Sequence, residues 1–500
     1  MSDLPEPDGP TVPADVSWGA FSSEAPWVVN RDELSWMAPV EGERQRIAAM
    51  LPELTTPRRL PPGRRIGRTT VQLGSAVGRW WIGPRRQGGD ESIADLARRL
   101  RIAAERLGPT YIKLGQVVSS GQGLFPAPLV TEFLRCRDQV PPERFSEVRR
   151  VVEEDLGRPL TEVFSSFDRR PIAAASIAQV HAATLRSGEE VVVKVQRPAV
   201  ASRVYDDLRV MSWIAPFLVG RIPVAALANP PALVDLFAET ITEELDFRLE
   251  AANMIEVAES FASLDQRGYV IPRPHPELVT PRVLVMERLQ GFAFDDAVGM
   301  RAAGIDTEAV VRTGMIGFLE GAMFNGVFHG DLHGGNLLVL PDGRTGLLDF
   351  GITARLPQHQ RLAFLRLLVS ASMNDANGQL AALRDLGALP PDADIPQIVA
   401  DLGLDRPPVD PMSLSPDELT GEIQRVVKAL LGYGARMPKP LMLFVKNLVF
   451  LDGAITTLAP DLDLIAEVTE IAMYFTMRHG QRIAEEVGLT ADDDWKLDLS

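Results

Sequence analysis

Cysteine is nearly missing from this chain: Cys136 stands alone, so no disulfide can form within it, and a reducing compartment is expected. Histidine is sparse too, six residues scattered without the spacing of a Cys/His ligand set, which argues against zinc. Lysine is scarcer than its class suggests: six lysines stand among 51 basic residues, so each one carries information. No basic n-region followed by an apolar core occupies the first thirty residues, so no signal peptide is expected. Long apolar runs are lacking as well. The nearest, VMSWIAPFLVG (210–220) and LMLFVKNLVFL (441–451, broken by Lys446 and Asn447), read as buried helices rather than membrane spans.

What is present is a chain of 500 residues, 46% hydrophobic and 24% charged, the profile of a soluble globular protein with two or three structural units. The net charge of −16 is unevenly spread. Between Arg58 and Arg106 twelve arginines face four acids, whereas the rest is strongly acidic. An acidic body argues against nucleic-acid binding, and the local basic patch fits an anionic lipid surface or an acidic partner.

Residues 1–60 are Pro-rich with little apolar periodicity apart from Trp27 and Trp36, and read as disordered with a short helix near 41–51. Residues 66–83 form a helix of small and apolar residues with arginines at its flanks. Such a helix can lie on a membrane or pack on its own protein, packing being the commoner use. Residues 91–121 repeat apolar side chains at i, i+3/i+4 until Gly108-Pro109 breaks the run and a second helix begins, carrying Lys113 and Gln116. From 160 to 200 the period changes to two, predicting an antiparallel pair that ends in EVVVKVQ. Helices are predicted at 201–220, 231–262 and 307–326, a strand at 283–289, and mostly helix after 351, with a Pro/Asp-rich loop at 389–418. The domain organisation read from this is a disordered 1–60, a helical extension 61–157, a strand-rich lobe 158–290 and a helical lobe 291–500.

Chemistry concentrates in FHGDLHGGNLLVLPDGRTGLLDFG (328–351). Asp331 precedes Asn336 by five residues, and Asp349-Phe350-Gly351 follows across a hairpin turned by Pro341-Asp342-Gly343. Kinases use this ordered set, with one Asp orienting the acceptor and an Asn and a second Asp holding Mg²⁺. Upstream, Lys194 sits among valines where a kinase keeps its phosphate-contacting lysine. The acidic run TEELDFRLEAAN offers it a carboxylate, Glu250 first and Glu244 behind it. A glycine-rich phosphate loop is missing. Its place is taken by Ala173-Ala174-Ala175-Ser176, which gives up backbone freedom and adds one hydroxyl. Main-chain groups around Met286, Glu287 and Arg288 are the candidate adenine contacts.

These pieces together resemble the UbiB/AarF family of atypical, protein-kinase-like kinases, which is linked to isoprenoid-quinone biosynthesis. The resemblance covers about residues 91–355. Lys113-Leu114-Gly115-Gln116 matches the family's KxGQ motif, Ala173–Ser176 its alanine loop, Glu244-Leu245-Asp246 its ExD element, and HGDLHGGN and DFG its catalytic and metal motifs. Gly330 and Gly334 stand where the family more often has Ala and Pro, and transmembrane helices found at the C-terminus of some bacterial relatives are not expected here. The resemblance implies an α+β, two-lobed protein-kinase-like fold with an N-terminal helical extension and a mostly helical C-terminal lobe. It implies ATP and Mg²⁺ as cofactors. Lys113 and Gln116, with Glu244 and Asp246, would stand at the nucleotide pocket and close it to peptide substrates. The implied activity is ATP hydrolysis or phosphotransfer to a small molecule or lipid, in the cytoplasm or peripherally on the inner face of the membrane. The rival readings are a nucleotide sensor without turnover and a protein serine/threonine kinase, the latter disfavoured because no APE-like motif follows Gly351.

Overall fold

Period-two alternation builds the sheet on which the first half of the chain is organised. In Glu190–Gln196, Val191, Val193 and Val195 are fully buried against one core, which turns Lys194 to the opposite face. This strand pairs antiparallel with Ala178–Leu185 on one side and Val283–Glu287 on the other, in the register Val180–Lys194–Leu284. Phe164–Phe167 and Pro274–Val279 complete the row, and the short strand Ala173–Ala174 pairs with Ala178–Leu185. The helix Phe145–Leu156 covers the valine face through Val148, Val151 and Val152. The structure is a computed structural model that describes residues 27–57, 65–83, 89–119, 127–136, 141–218, 230–373, 375–404, 433, 438–462 and 464–487.

The chain divides into two compact units. The first takes in the residues up to Asp265, Val270–Gly291 and Gly346–Ile352; the second takes in Gln266–Tyr269, Phe292–Thr345 and the chain from Thr353 onward. Two segments depart from the division read from sequence: 346–352, with the DFG triplet, belongs with the first unit rather than with the helical 291–500, and 266–269 belongs with the second rather than with the strand-rich 158–290.

Beside its sheet, the first unit holds a helical body of Val40–Thr55, Arg65–Ile82, Gly89–Leu107, Pro109–Ser119, Ala127–Phe133, Val200–Leu218 and Pro230–Glu243. Their shared core includes Leu54, Trp80, Leu96, Tyr111, Phe133 and Phe237. The expectation of disorder over 1–60 is corrected for residues 27–57. Trp27 and Trp36 are buried, and their indole N–H groups donate to the Ile271 and His275 carbonyls at 2.9 and 3.1 Å. Composition misled here because prolines raise the polar, irregular character of a segment that two tryptophans nonetheless anchor. Residues 1–26 lie outside the described residues.

The basic stretch 58–106 is also less free than its charge count implies. Arg65 pairs with Asp207, Arg98 and Arg99 with Asp95, and Arg101 with Glu105 and Glu132. Trp80 is a core residue whose indole donates to Ser92, while Val71, Trp81 and Ile82 are exposed. Arg58, Arg59, Arg64, Arg85 and Arg86 lie outside the described residues.

In the second unit, Thr307–Glu320 continues as a π-helical turn, Gly321–Asn325, into the strand Val327–His329, which pairs with Thr353–Arg355. Leu337–Val339 pairs with Phe292–Ala293, and the Pro-Asp-Gly turn is closed by Leu340 N–H donating to the Arg344 carbonyl at 2.8 Å. Helices Gln358–Ser372, Ala376–Asp385, Ile395–Leu402, Lys439–Leu458 and Leu464–Val487 follow. The helix Ile395–Leu402 corrects part of the loop expected at 389–418, whose remainder beyond 404 lies outside the described residues. Glu320 is fully buried and ties three segments: Gln266 Nε2 and the Tyr474 hydroxyl donate to it at 2.6 Å each, and His479 Nε2 lies at 2.8 Å. Phe444 stacks on Phe318 at 5.0 Å and meets Phe364 at 4.5 Å, fixing the helix Lys439–Leu458 against the elements that carry the catalytic motif. By length and composition this helix alone among the described ones could cross a membrane.

Candidate active site

Within the first unit, Lys194 is the centre of a charged cluster. Its Nζ lies 2.7 and 2.9 Å from the two Glu250 oxygens, 3.1 Å from Asp349 Oδ2 and 5.5 Å from the Phe247 ring centroid. Glu250 is presented by the first turn of Phe247–Ser263, a helix capped by Asp246, whose carboxylate accepts from the Arg248 amide at 3.0 Å. The sequence run 231–262 thus breaks at Glu244-Leu245-Asp246, and the break is what aims Glu250 at the lysine strand. Capping occupies the second acid of the ExD element, since Asp246 holds the helix start and pairs with Arg248 rather than joining the Lys113 pair. Glu244 behaves differently, standing 3.0 Å from Lys113 Nζ.

Asp349 adopts φ +55°, unusual for a residue with a side chain, and its Oδ1 accepts from the Gly351 amide at 3.1 Å. A Cβ at Gly351 would fall 3.2 Å from Asp349 Oδ1 and 3.2 Å from Glu244 Cγ, so the glycine admits both carboxylates. Phe350 is gripped on both sides of its peptide, its amide 3.4 Å from Glu250 Oε1 and its carbonyl accepting from Asn253 Nδ2 at 2.8 Å. Asn253 in turn accepts from Arg44 Nη2 at 3.1 Å, so the N-terminal helix reaches the DFG triplet through one relay.

Burial works against ionising Asp349, yet the ammonium groups of Lys194 and Lys113 and the Gly351 amide outweigh it and hold the acid well below the usual carboxylate range. Burial pulls Lys194 down, but Asp349 and Glu250 more than compensate and keep it protonated. Burial pushes Glu250 up against the opposing pull of Lys194. Glu244 is pushed up to about 7 by burial, with Lys113 opposing and Asp349 adding to the rise.

The KxGQ helix is seated by its glycine. A Cβ at Gly115 would lie 2.4 Å from Phe133 Cδ1 and 3.3 Å from Cys136 Sγ, so only glycine lets the two helices close together. Burial pushes the Cys136 thiol up to about 11, which fits a packing role. Gln116 is half-buried one turn from Lys113, and its carbonyl accepts from Ser119 Oγ at 2.8 Å.

The alanine loop forms a tight return. Ala173 and Ala174 pair with Val180 and Gln179, and the Ala175 amide donates to the Ala178 carbonyl at 2.8 Å. Ser176 is buried rather than turned to solvent. The adenine expectation at Met286–Arg288 is narrowed: Met286 is buried, and the amides of Glu287 and Arg288 already donate to the Arg273 and Glu190 carbonyls at 3.0 and 3.2 Å.

Within the second unit the HGDLHGGN loop is braced from inside. The Asp331 amide donates to His329 Nδ1 at 3.1 Å, and Asn336 Nδ2 donates to the Asp331 carbonyl at 3.0 Å, which turns Asn336 Oδ1 into the oxygen available to a cation. It is also braced from outside by two neighbours on Lys439–Leu458. Asn447 Oδ1 accepts from the Leu332 amide at 3.0 Å and Asn447 Nδ2 donates to the His329 carbonyl, while Lys446 forms an ion pair with Asp331 Oδ1. Sequence reasoning missed Lys446, Asn447, Asn253 and Arg44. The one available signal was a Lys-Asn pair inside an otherwise apolar helix of a lysine-poor chain.

Among the described residues no three His, Cys, Asp or Glu side chains converge as a metal cage. Mg²⁺ bound with a nucleotide needs less than that, because it takes one or two protein oxygens and completes its shell from phosphates and water. The donors fit: Asp349 is held ionised by its two lysines, and the cluster of Lys194, Lys113, Glu250, Glu244 and Asp349 has one more carboxylate than ammonium.

A six-stranded antiparallel sheet carrying a Lys–Glu pair, followed by a helical unit carrying an Asp-Asn loop, defines a protein-kinase-like protein. The comparisons narrow the class. A family profile described as the ABC1 atypical kinase-like domain matches residues 135–382. An uncharacterised protein of Mycobacterium tuberculosis is 38% identical over 74% of this chain and 76% of its own length. An aarF domain-containing protein kinase of Arabidopsis thaliana chloroplasts is 33% identical over 74% of this chain and 73% of its own. Also from Arabidopsis, the chloroplast protein named ACTIVITY OF BC1 COMPLEX KINASE 1 is 34% identical over 75% of this chain and 55% of its own. The chain belongs to this UbiB/AarF-like family of atypical kinases.

Proposed function

We propose that the chain binds Mg²⁺-ATP and either hydrolyses it or transfers its γ-phosphoryl group to a small molecule or lipid. The observation that carries this reading is Lys194 held between Glu250 and Asp349, the arrangement by which kinases present a lysine to phosphates and a carboxylate to Mg²⁺. In this reading Lys194 meets the α/β-phosphates, and Asp349 and Asn336 supply oxygen to Mg²⁺, which neutralises phosphate charge when bound. Asp331 orients the acceptor, and the alanine loop lies along the phosphates. Lys113 and Gln116, on the extension 61–157, restrict what reaches the site, with Glu244 held ready as the partner of Lys113. Adenine is read at the edge of the Val283–Glu287 strand, with Met286 beneath it.

The names of its relatives support a kinase-type reaction, and the family resemblance supports a role in isoprenoid-quinone or other lipid metabolism. Exposed Val71, Trp81 and Ile82 on a helix with flanking arginines support a peripheral contact with anionic lipid on the cytoplasmic face of a membrane. The test is Mg²⁺-ATP binding by calorimetry alongside ADP release, in the wild type and in Asp349→Asn. Binding and release that both collapse in the variant support the reading. Binding without release in the wild type makes the protein a nucleotide sensor, phosphorylation of generic protein substrates makes it a protein kinase, and full Mg²⁺-ATP affinity in Asp349→Asn removes that residue from the site.

A further inference from the structure

The helix Lys439–Leu458 buries mostly apolar side chains, but its stretch 445–449 reverses the pattern. Val445, Leu448 and Val449 are 41%, 41% and 47% exposed, whereas the polar neighbours Lys446 and Asn447 turn inward, Asn447 completely buried. Burying an ammonium and an amide in an apolar helix is costly unless both are spent on specific partners. Both are spent on three residues of the catalytic loop: Asn447 on the main chain of His329 and Leu332, Lys446 on the carboxylate of Asp331. If the helix served only to support the loop, Asn447 would suffice, since it clamps the backbone on both sides of Asp331.

We propose that Lys446 is a positioning residue for the transfer step, a deduction that rests on the nucleotide-processing reading above. Its ammonium pairs with Asp331 Oδ1 and so fixes the orientation of the carboxylate that receives the hydrogen of the acceptor; His333 Nε2 lies 3.9 Å from Oδ2. The acceptor, a hydroxyl or water oxygen, forms its bond to the γ-phosphorus as the bond from that phosphorus to the β,γ-bridging oxygen breaks. ADP leaves with the electron pair, and the acceptor's proton passes by way of Asp331 to solvent. A lysine ammonium has three donors in a compact head, so one can hold Asp331 while the others meet negative charge on the transferring group. The cation paired with Asp331 is supplied from outside the loop, by Lys446, 115 residues later.

The experiment compares ADP release by the full-length wild type, Lys446→Met, Lys446→Arg and Asp331→Asn. Loss of one preorganised donor of this kind should lower kcat about 10²-fold in Lys446→Met. KM for ATP should move little, because the interaction belongs to the transfer step, and Lys446→Arg should recover part of the loss. Thermal unfolding of Lys446→Met should stay within a few degrees of the wild type. Wild-type release no greater than that of Asp331→Asn would overturn the nucleotide-processing reading and this inference with it. Clear wild-type turnover with an unaltered Lys446→Met would overturn this inference alone. So would a kcat loss that tracks a lowered unfolding temperature and is not relieved by arginine.

Discussion

Each unit sets a lysine against one aspartate of the kinase-like motif, and the two pairs are built to opposite plans. In the first unit Lys194 reaches Asp349 from the middle of a sheet, and its main partner is Glu250, only 4% exposed. In the second, Lys446 reaches Asp331 from a helix, and Asp331 is 21% exposed. The first lysine is part of a buried charge network that the fold must balance in order to stand. The second touches a carboxylate that water can still serve. A cation can therefore be structural in one place and dispensable to folding in the other while facing the same kind of partner.

Removing each cation is the most forceful way to break that contrast. Lys194→Met strands Glu250 without its partner and should cost about 3–5 kcal/mol in urea unfolding, as breaking a buried pair does. Lys446→Met should cost no more than about 1 kcal/mol, the range of partly exposed pairs. Equal losses would erase the distinction.

Glu244 sharpens the same point through pH. Its acid dissociates near pH 7 when folded and near 4.5 when unfolded, so the folded chain holds more protons between those values and stability falls as pH rises through them. The fall attributable to this group is on the order of 3 kcal/mol across the window. Glu244→Gln should flatten that decline, which unfolding curves collected from pH 4.5 to 7.5 would reveal; a slope parallel to the wild type would show that the charge network does not set it. The last effect is steric. Gly115→Ala places a methyl against the Phe133 ring and should cost about 1–3 kcal/mol through overpacking, readable as a lower thermal midpoint.

Much of this was open to reading from the residues because the relevant signals are local. The valine run marked the strand that carries Lys194, Gly108-Pro109 marked the break between helices, and the acidic run before 253 offered Glu250 to the lysine, whereas the capped helix start that aims it lay hidden in a run read as one helix over 231–262. Signals that are not local were lost. Nothing near Lys446 points to Asp331, because the pairing depends on a helix returning across 115 residues. The ExD element reads as two acids with a shared role, yet Asp246 is drawn away by the orphan amides at the start of its own helix. Residues 27–57 look disordered by composition because two tryptophans, which carry the anchoring, weigh little in a count.

The stretch matched by the ABC1 domain profile is shorter than the set of charges that serves the two lysine–aspartate pairs. That match begins at residue 135 and stops at 382. A fragment cut at those limits retains Lys194, Glu250, Asp331, Asn336 and Asp349 and would score as a whole kinase-like domain. It discards Lys113 from one end and Lys446 from the other, the two cations that face acidic residues of the motif from elements outside it.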